Sequence, residues 1–207
     1  MPMPIPTDND FRRRGVLGLI AGASAMLALP RKAAALSTEE ARALIGRAVA
    51  DVNAVISSGA SEPQMLAQFE QIFVRYADVR YIAQSALGPA GRQAKPAQMA
   101  AYVKAFQGYI SRKYGRRFRE FIGGQIEVTG AHPLKSFYEV TSIAKLKGQA
   151  PFEVDWHVFD KSGKNQFFNL IIEGVNMLAA ERTEIGAMLD KAGGSIDRLT
   201  QQLAKAG

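Results

Sequence analysis

The sequence contains no cysteine, only two histidines and a single tryptophan among its 207 residues. Without thiols the chain cannot form a disulfide or carry the lipid anchor of a lipoprotein. Two histidines also offer little material for a zinc centre. The sequence lacks the motifs of serine hydrolases, P-loop proteins and dinucleotide-binding folds as well. These absences argue against the common metal-dependent, nucleotide-dependent and nucleophilic enzyme classes.

Residues 1–35 have the three regions of a cleavable export signal. A positive start (Arg12, Arg13, Arg14) precedes an uncharged stretch over 15–29, and alanines at 33–35 form a small-residue cleavage site. An uncleaved membrane anchor is the alternative, but this stretch is shorter than the roughly 20 residues that a bilayer span requires. We therefore predict a mature chain that begins at Leu36 and is periplasmic.

The signal also bears on the export route. Arg13-Arg14 followed by Gly15-Val16-Leu17 resembles a twin-arginine signal, although Arg12 stands where Ser or Thr is usual. General secretion is the other possible route.

Removing residues 1–35 takes away five of the 26 basic and two of the 19 acidic side chains, so the remaining 172 residues carry a net charge of +4. That length suits one domain.

Residues 38–122 are predicted to be helical because apolar side chains recur every three or four positions. Ser37 and Glu40 have the spacing of a capping box at the start of the first helix. The longest predicted helix runs from Pro96 to Ile122 and ends at Gly123-Gly124. Further helices are predicted within residues 179–205.

Between residues 125 and 174 the apolar period changes to two, which predicts four strands. The third strand has the clearest alternation and places Phe152, Val154, Trp156 and Val158 on one side. The turn at 160–163 predicts a hairpin in which the fourth strand turns Phe168, Leu170 and Ile172 inward. This order predicts an α+β domain, with a curved four-stranded antiparallel sheet covered on one face by helices and a helical lobe beside it. Such a cone resembles that of nuclear transport factors and ketosteroid isomerases.

Two groups of polar residues are candidates for chemistry. Glu153, Asp155 and His157 share one strand face, so they either form a metal or acid–base site or are simply solvated. The basic cluster Arg112–Arg119 either is solvated or contacts an acidic partner or anionic lipid, since nucleic acid is not expected outside the cytoplasm. The inward strand positions carry no carboxylate, imidazole, ammonium or guanidinium group, which disfavours acid–base catalysis there. The apolar side chains either fill a core or line a cavity, and periodicity does not distinguish these cases.

Several stretches resemble a known family: 78–88, 106–114, 172–177, Glu181-Arg182 and the final helix. Their order behind an export signal is similar to that in the toluene-tolerance, or MlaC, family of periplasmic phospholipid-binding proteins that serve ABC transporters. This family has a hopanoid-associated branch. Asn176 stands where the family commonly has Ser, and Phe167-Phe168 replaces a frequent Trp.

The resemblance implies a soluble, monomeric lipid carrier without enzymatic activity or cofactor, which contacts membranes only transiently and binds no nucleic acid. Its cargo would be a phospholipid or a hopanoid, held between the sheet and the helices. Its partners would be an inner-membrane ABC transporter with an MCE-domain ring and an outer-membrane lipoprotein complex. The alternatives are an enzyme of the same fold acting on an apolar molecule, and an envelope scaffold with a filled core. The expected lining residues are Phe73, Tyr102, Phe106, Ile110, Val140, Val154, Trp156, Phe168, Leu170 and Ile172.

Overall fold

The computed structural model describes residues 36–115 and 121–207, so the predicted export signal lies outside the described residues. Helix α1 (Thr38–Ile56) begins at the predicted capping box. The Ser37 backbone nitrogen donates to the Glu40 carboxylate at 2.9 Å, and the Glu40 nitrogen donates to Ser37 Oγ at 3.2 Å. Leu36 is buried, and its nitrogen donates to Asp160 Oδ2 at 3.3 Å. The start of α1 is therefore held by a local capping box and by one long-range contact.

Five further helices follow within the described residues. They are α2 (Glu62–Tyr76), α3 (Val79–Leu87), α4 (Pro96–Gly115), α5 (Met177–Lys191) and α6 (Ile196–Leu203), with a 3-10 turn (Gly88–Arg92) after α3. Residues 116–120 of the long predicted helix, including Arg116, Arg117 and Arg119 of the basic cluster, lie outside the described residues. Helix α5 begins at Met177 and not at 179, because Asn176 Oδ1 caps it by accepting from the Ala179 nitrogen at 3.0 Å.

The strands are β1 (Gln125–Pro133), β2 (Tyr138–Lys145), β3 (Phe152–Phe159), β4 (Gln166–Ile172) and β5 (Val175–Asn176). They form one antiparallel sheet in chain order. The α+β class is confirmed, but the sheet has five strands and not four. Glu173 and Gly174 have φ values of 49° and 78°, which form a two-residue turn that pairs Val175 with Ile172. A two-residue strand shows no period that the sequence could reveal.

A bulge in β4 decides which phenylalanine faces inward. His157 pairs with Asn169, whereas Val158 pairs with Phe167, so Phe168 is the extra residue. Directly opposed side chains share a face of the sheet. Phe167 therefore joins Val158 on the inner face, defined here as the face that carries Val140, Val154 and Trp156. The prediction that Phe168 points inward is wrong: its ring lies 4.4 Å from that of Phe159 on the outer face.

The helices pack against the sheet and against one another. Helix α1 crosses β1, β2 and β3, and Asn53 ties it to β1 by donating to the Ile126 carbonyl at 3.0 Å and accepting from the Ile126 nitrogen at 3.1 Å. Helix α4 packs against α2, α3 and α6 in a helical lobe. Helices α3 and α5 pack together and contact β4. None of the described helices has the length and apolarity of a bilayer span.

Candidate functional site

The inner face of the sheet is a continuous apolar surface. From β1 to β4 its side chains are aliphatic or aromatic, with Ser142 as the one aliphatic hydroxyl. None of these positions in the described sheet carries a carboxylate, imidazole, ammonium or guanidinium group. The face can therefore bind an apolar group but lacks the side chains of an acid–base catalyst.

The polar atoms of Ser142 and Trp156 satisfy each other in the middle of this face. Trp156 Nε1 donates to Ser142 Oγ at 2.9 Å, and Ser142 Oγ donates to the Val154 carbonyl at 3.0 Å. Ser142 is completely buried and Trp156 is 7% exposed. Because buried polar groups are costly only when unpaired, this arrangement keeps the surrounding surface effectively apolar.

Six of the ten predicted lining residues meet on or beside this face: Phe73, Val140, Val154, Trp156, Leu170 and Ile172. Phe73 extends from α2 to within 6.3 Å of the Phe167 ring, and Phe167 lies 5.3 Å from Trp156 in an edge-to-face arrangement. We call Phe73, Phe167 and Trp156 the aromatic cluster. It joins the helical layer to the centre of the sheet.

Three other predicted lining residues, Tyr102, Phe106 and Ile110, lie on α4 in the helical lobe. All three are buried, and the Tyr102 hydroxyl donates to the Ala83 carbonyl of α3 at 3.2 Å. The Phe106 ring lies between those of Tyr102 and Tyr109, at 5.9 and 6.3 Å. These side chains join helices to one another and belong to the same continuous core as the buried residues of the inner face.

Burial of the inner face decreases towards one end of the β3–β4 pair. Val140 and Val158 are completely buried, whereas four apolar side chains at that end are only half-buried: Phe121, Phe152, Leu170 and Ile172. We call these four residues the apolar rim. The rings of Phe121 and Phe152 lie 6.2 Å apart, and Ile172 pairs with Val154. The rim is one part of the inner face that an apolar ligand could reach, and Val128, Ala131 and Tyr138 on β1 and β2 are also half-buried.

Two open surface grooves occur elsewhere. One, of about 630 Å³, lies between α2 and α4, and the other, of about 450 Å³, lies beside α3 and α5. Neither is lined by the inner face, which is closely packed in this structure. We place the candidate site on the inner face because both grooves are lined mainly by polar side chains. A ligand between sheet and helices would have to separate them.

The outer face holds the predicted Glu153–Asp155–His157 group, but these residues do not form a site. His157 Nε2 lies 3.0 Å from Glu139 Oε2 on the neighbouring strand, and its Nδ1 lies 3.3 Å from Asn169 Nδ2. The Phe137 ring covers His157 at 4.5 Å, so this imidazole is not part of a solvated face either. In the described part of the chain, no three His, Cys, Asp or Glu side chains are grouped to hold a metal ion.

Comparison with known proteins identifies the family. Residues 46–205 match the family model described as MlaC protein. The chain belongs to the MlaC family. The fold agrees with a solved structure of a phospholipid-binding protein from Ralstonia solanacearum in complex with a phospholipid, with a TM-score of 0.69 and 21% identity. That alignment covers 80% of this chain and 95% of the other, and at this identity it establishes the fold. The family resemblance seen in the sequence is confirmed.

This MlaC-family chain also contains a polar cluster that ties α4 to α5. Lys113 Nζ contacts Glu181 Oε1 at 2.6 Å and also Glu184, while the Tyr109 hydroxyl donates to Glu184 at 2.6 Å and Tyr114 donates to Glu181. Glu181 is buried, and its Oε2 has no hydrogen-bond partner. Burial, followed by the nearby carboxylates, raises the pKa of Tyr109 and of Tyr114. Both phenols therefore stay neutral donors.

The same cluster fixes the charges of its other members. Burial opposes ionisation of Lys113 and Glu184, but their mutual hydrogen bond and the other partners of each outweigh it. The pKa of Lys113 is raised, and the pKa of Glu184 is lowered. The cluster is thus an ionic connection between α4 and α5.

Sequence reasoning missed Phe167, which takes the inward place expected of Phe168. The one visible signal is the pair of adjacent phenylalanines in an otherwise alternating strand, which is compatible with a bulge at either residue. It also missed Phe121 and gave Phe152 only as a core position, because the sequence shows burial patterns and not where a surface ends.

Proposed function

We propose that this MlaC-family chain is a periplasmic lipid carrier that holds the acyl chains of a phospholipid against the inner face of its sheet. The observation that carries the proposal is the inner face itself, a broad apolar surface in which the buried polar groups of Ser142 and Trp156 satisfy each other. Family membership and the phospholipid complex of the Ralstonia protein support it. The periplasmic location rests on the predicted export signal.

The energy of acyl-chain burial explains why such a carrier is useful. Removing a chain of ~16 carbons from water gains roughly 12 kcal/mol at ~0.8 kcal/mol per methylene, so a lipid does not cross an aqueous space unaided. A bilayer offers a similar gain. A carrier therefore has to match the bilayer closely, and a partner that changes its affinity has to drive release.

Access to the inner face requires movement of the helical cover. Helix α1 is held on β1 by the two hydrogen bonds of Asn53, at the opposite side of the sheet from β4. The apolar rim lies at the β3–β4 side, where the apolar side chains are only half-buried. We therefore expect acyl chains to enter at the rim and to displace Phe73 of α2 from Phe167, while α1 stays on β1.

The proposal extends to a route between two membranes. We infer that the chain shuttles its lipid between the inner and outer membranes as the auxiliary component of an ABC transport system. The partners implied by the family resemblance are a transporter with an MCE-domain ring and an outer-membrane lipoprotein complex. A hopanoid is the alternative cargo, since it would use the same apolar surface.

The direct test is native mass spectrometry of the full chain after export and gentle purification. We expect one lipid per protein, and the mass of the adduct distinguishes a phospholipid from a hopanoid. N-terminal sequencing of the same sample should begin at Leu36. A clean apo mass from several bacterial hosts would contradict the carrier function, and an intact N-terminus would contradict the predicted cleavage.

A matched pair of variants tests the position of the lipid. Ile172→Glu places a charge at the apolar rim, whereas Ile171→Glu places one on the preceding residue, which is also half-buried but pairs with Asp155 on the outer face. We expect Ile172→Glu to lose its lipid and Ile171→Glu to keep it, because only the first charge would lie against the acyl chain. Circular dichroism checks that both variants fold. A folded Ile172→Glu protein with full lipid occupancy would refute the inner-face site.

A further inference from the structure

A concave groove of about 450 Å³ lies beside α3, the 3-10 turn and α5, and the proposed carrier function does not use it. Its lining includes Tyr81, Gln84, Ser85, Gly88, Arg92 and Arg182. Gly88 has φ 64°, and a Cβ atom there would lie 3.4 Å from Arg182 Nη2. The guanidinium thus lies close over the turn, where the absence of a side chain leaves room for it. We call this feature the arginine groove.

The side chains of the arginine groove are mostly hydrogen-bond donors without internal partners. Besides the two guanidinium groups, the groove is lined by the Tyr81 and Ser85 hydroxyls and the Gln84 amide, and no lining residue carries a carboxylate. Two other arginines show the contrast. Arg75 pairs with Asp51 at 2.9 Å, and Arg112 donates to the carbonyls of Leu203 and Ala206 at 2.6 and 2.9 Å.

Arg92 and Arg182 form no ion pair or hydrogen bond with another residue in the part of the chain that the structure describes. Other surface arginines are also unpaired, but these two share one concave surface with three neutral donors. Guanidinium groups match the oxygen geometry of phosphate, and hydroxyl or amide donors can complete its coordination. The donor set therefore fits a phosphate group better than it fits a cation or an apolar ligand.

The arginine groove lies apart from the inner face. The Tyr81 ring packs edge-to-face against Phe159 at 5.0 Å and Phe168 at 5.4 Å, and both of these lie on the outer face. A phosphate in the groove would thus not belong to a lipid whose chains occupy the inner face through the rim.

We propose that the arginine groove binds the phosphate group of an anionic phospholipid at a membrane surface and so docks the carrier there. The membrane source of the phosphate rests on the proposed carrier function, because a lipid carrier has to meet a bilayer. Phosphate recognition by the groove does not depend on that function.

The test is vesicle flotation with the exported full chain. The vesicles contain phosphatidylcholine, with or without roughly 30 mole per cent phosphatidylglycerol, so that they differ in surface charge. The groove variant is Arg92→Gln/Arg182→Gln. The matched control is Arg42→Gln/Arg47→Gln on α1, which removes the same charge from two exposed positions. Inorganic phosphate is titrated calorimetrically into each protein as a second arm.

We expect the groove variant to bind anionic vesicles about 30-fold more weakly than the wild type, and the control to lose less than about 3-fold. Equal losses in both variants would mean general charge attraction and would overturn the proposal. Loss of inorganic phosphate binding without loss of vesicle binding would refute the membrane source. The groove variant could instead leave binding of vesicles and inorganic phosphate unchanged but weaken binding of polyglutamate. That result would indicate an acidic protein partner and would also overturn the proposal. Lipid occupancy, measured separately by native mass spectrometry, should be unchanged in the groove variant, so failure of the carrier function is distinguishable.

Discussion

Replacing Ser142 by alanine tests whether the inner face is dry. The substitution removes the oxygen that accepts from Trp156 Nε1 at 2.9 Å and donates to the Val154 carbonyl at 3.0 Å. The Trp156 N–H would then be buried without an acceptor, because Trp156 is only 7% exposed. An unsatisfied buried donor costs about 1–3 kcal/mol, and we expect Ser142→Ala to lower the free energy of unfolding by that amount.

Urea unfolding followed by far-ultraviolet circular dichroism measures this loss. A change of about 2 kcal/mol moves the midpoint by about 1 M at a slope of about 2 kcal/mol/M. Trp156→Phe removes the donor that Ser142→Ala leaves unpaired. The double variant should therefore lose about 1 kcal/mol less free energy of unfolding than the two single variants lose in sum. A loss of less than about 0.5 kcal/mol for Ser142→Ala would refute the reasoning. It would mean that water reaches Trp156, and a wet surface is not one that binds acyl chains well.

Three further predictions concern the helices. Gly115→Ala should lower the free energy of unfolding in urea by about 1 kcal/mol, because the new Cβ would collide with the Leu66 side chain. Gly46→Ala should raise it by up to about 1 kcal/mol, because nothing lies within 4 Å of a Cβ there. Equal stabilities of the two variants would contradict this packing. Burial raises the pKa of Tyr102, Tyr109 and Tyr114. At about pH 11 the folded protein should therefore contain less tyrosinate and absorb less at 295 nm than the unfolded chain. The contribution of these tyrosines to stability should decline as the pH rises above about 10. Because hydrogen bonds from Lys113 and Tyr109 outweigh burial and lower the pKa of Glu184, its contribution should be present above its ordinary value of 4.5 and be lost as the pH falls through the folded-state value. Glu184→Gln should then flatten the acid side of the stability profile measured by urea unfolding, and an unchanged acid side would contradict this assignment.

The parts of the fold that follow from local chemistry were predictable from the sequence. The capping box at Ser37 and Glu40 depends on three residues of separation, and the alternation from Phe152 to Val158 depends on neighbours two apart. The bulge at Phe168 was not predictable, because it depends on pairing between β3 and β4. The contact between His157 and Glu139 was missed for the same reason, since it joins different strands.

The sequence predicted the apolar, buried character of the candidate residues better than it predicted their positions in the fold. The pattern on α4 correctly indicates that Tyr102, Phe106 and Ile110 are buried. A helical stripe does not indicate which neighbour it packs against, and here the neighbours are helices. The strand positions were more informative, because residues on one face of a sheet necessarily lie together. The arginine groove combines residues about ninety positions apart, which only the packing of α3 on α5 brings together.

The single tryptophan of the chain has a practical consequence. Trp156 lies between Phe167 and Ser142 in the middle of the proposed acyl-binding face, and no second indole contributes to the emission of the protein. A ligand that enters beside it would change the surroundings of the dominant intrinsic fluorophore, and a brominated acyl chain in contact would quench it. The protein therefore carries its own optical reporter of occupancy, which would allow loading and unloading to be followed over time without a dye on either protein or lipid.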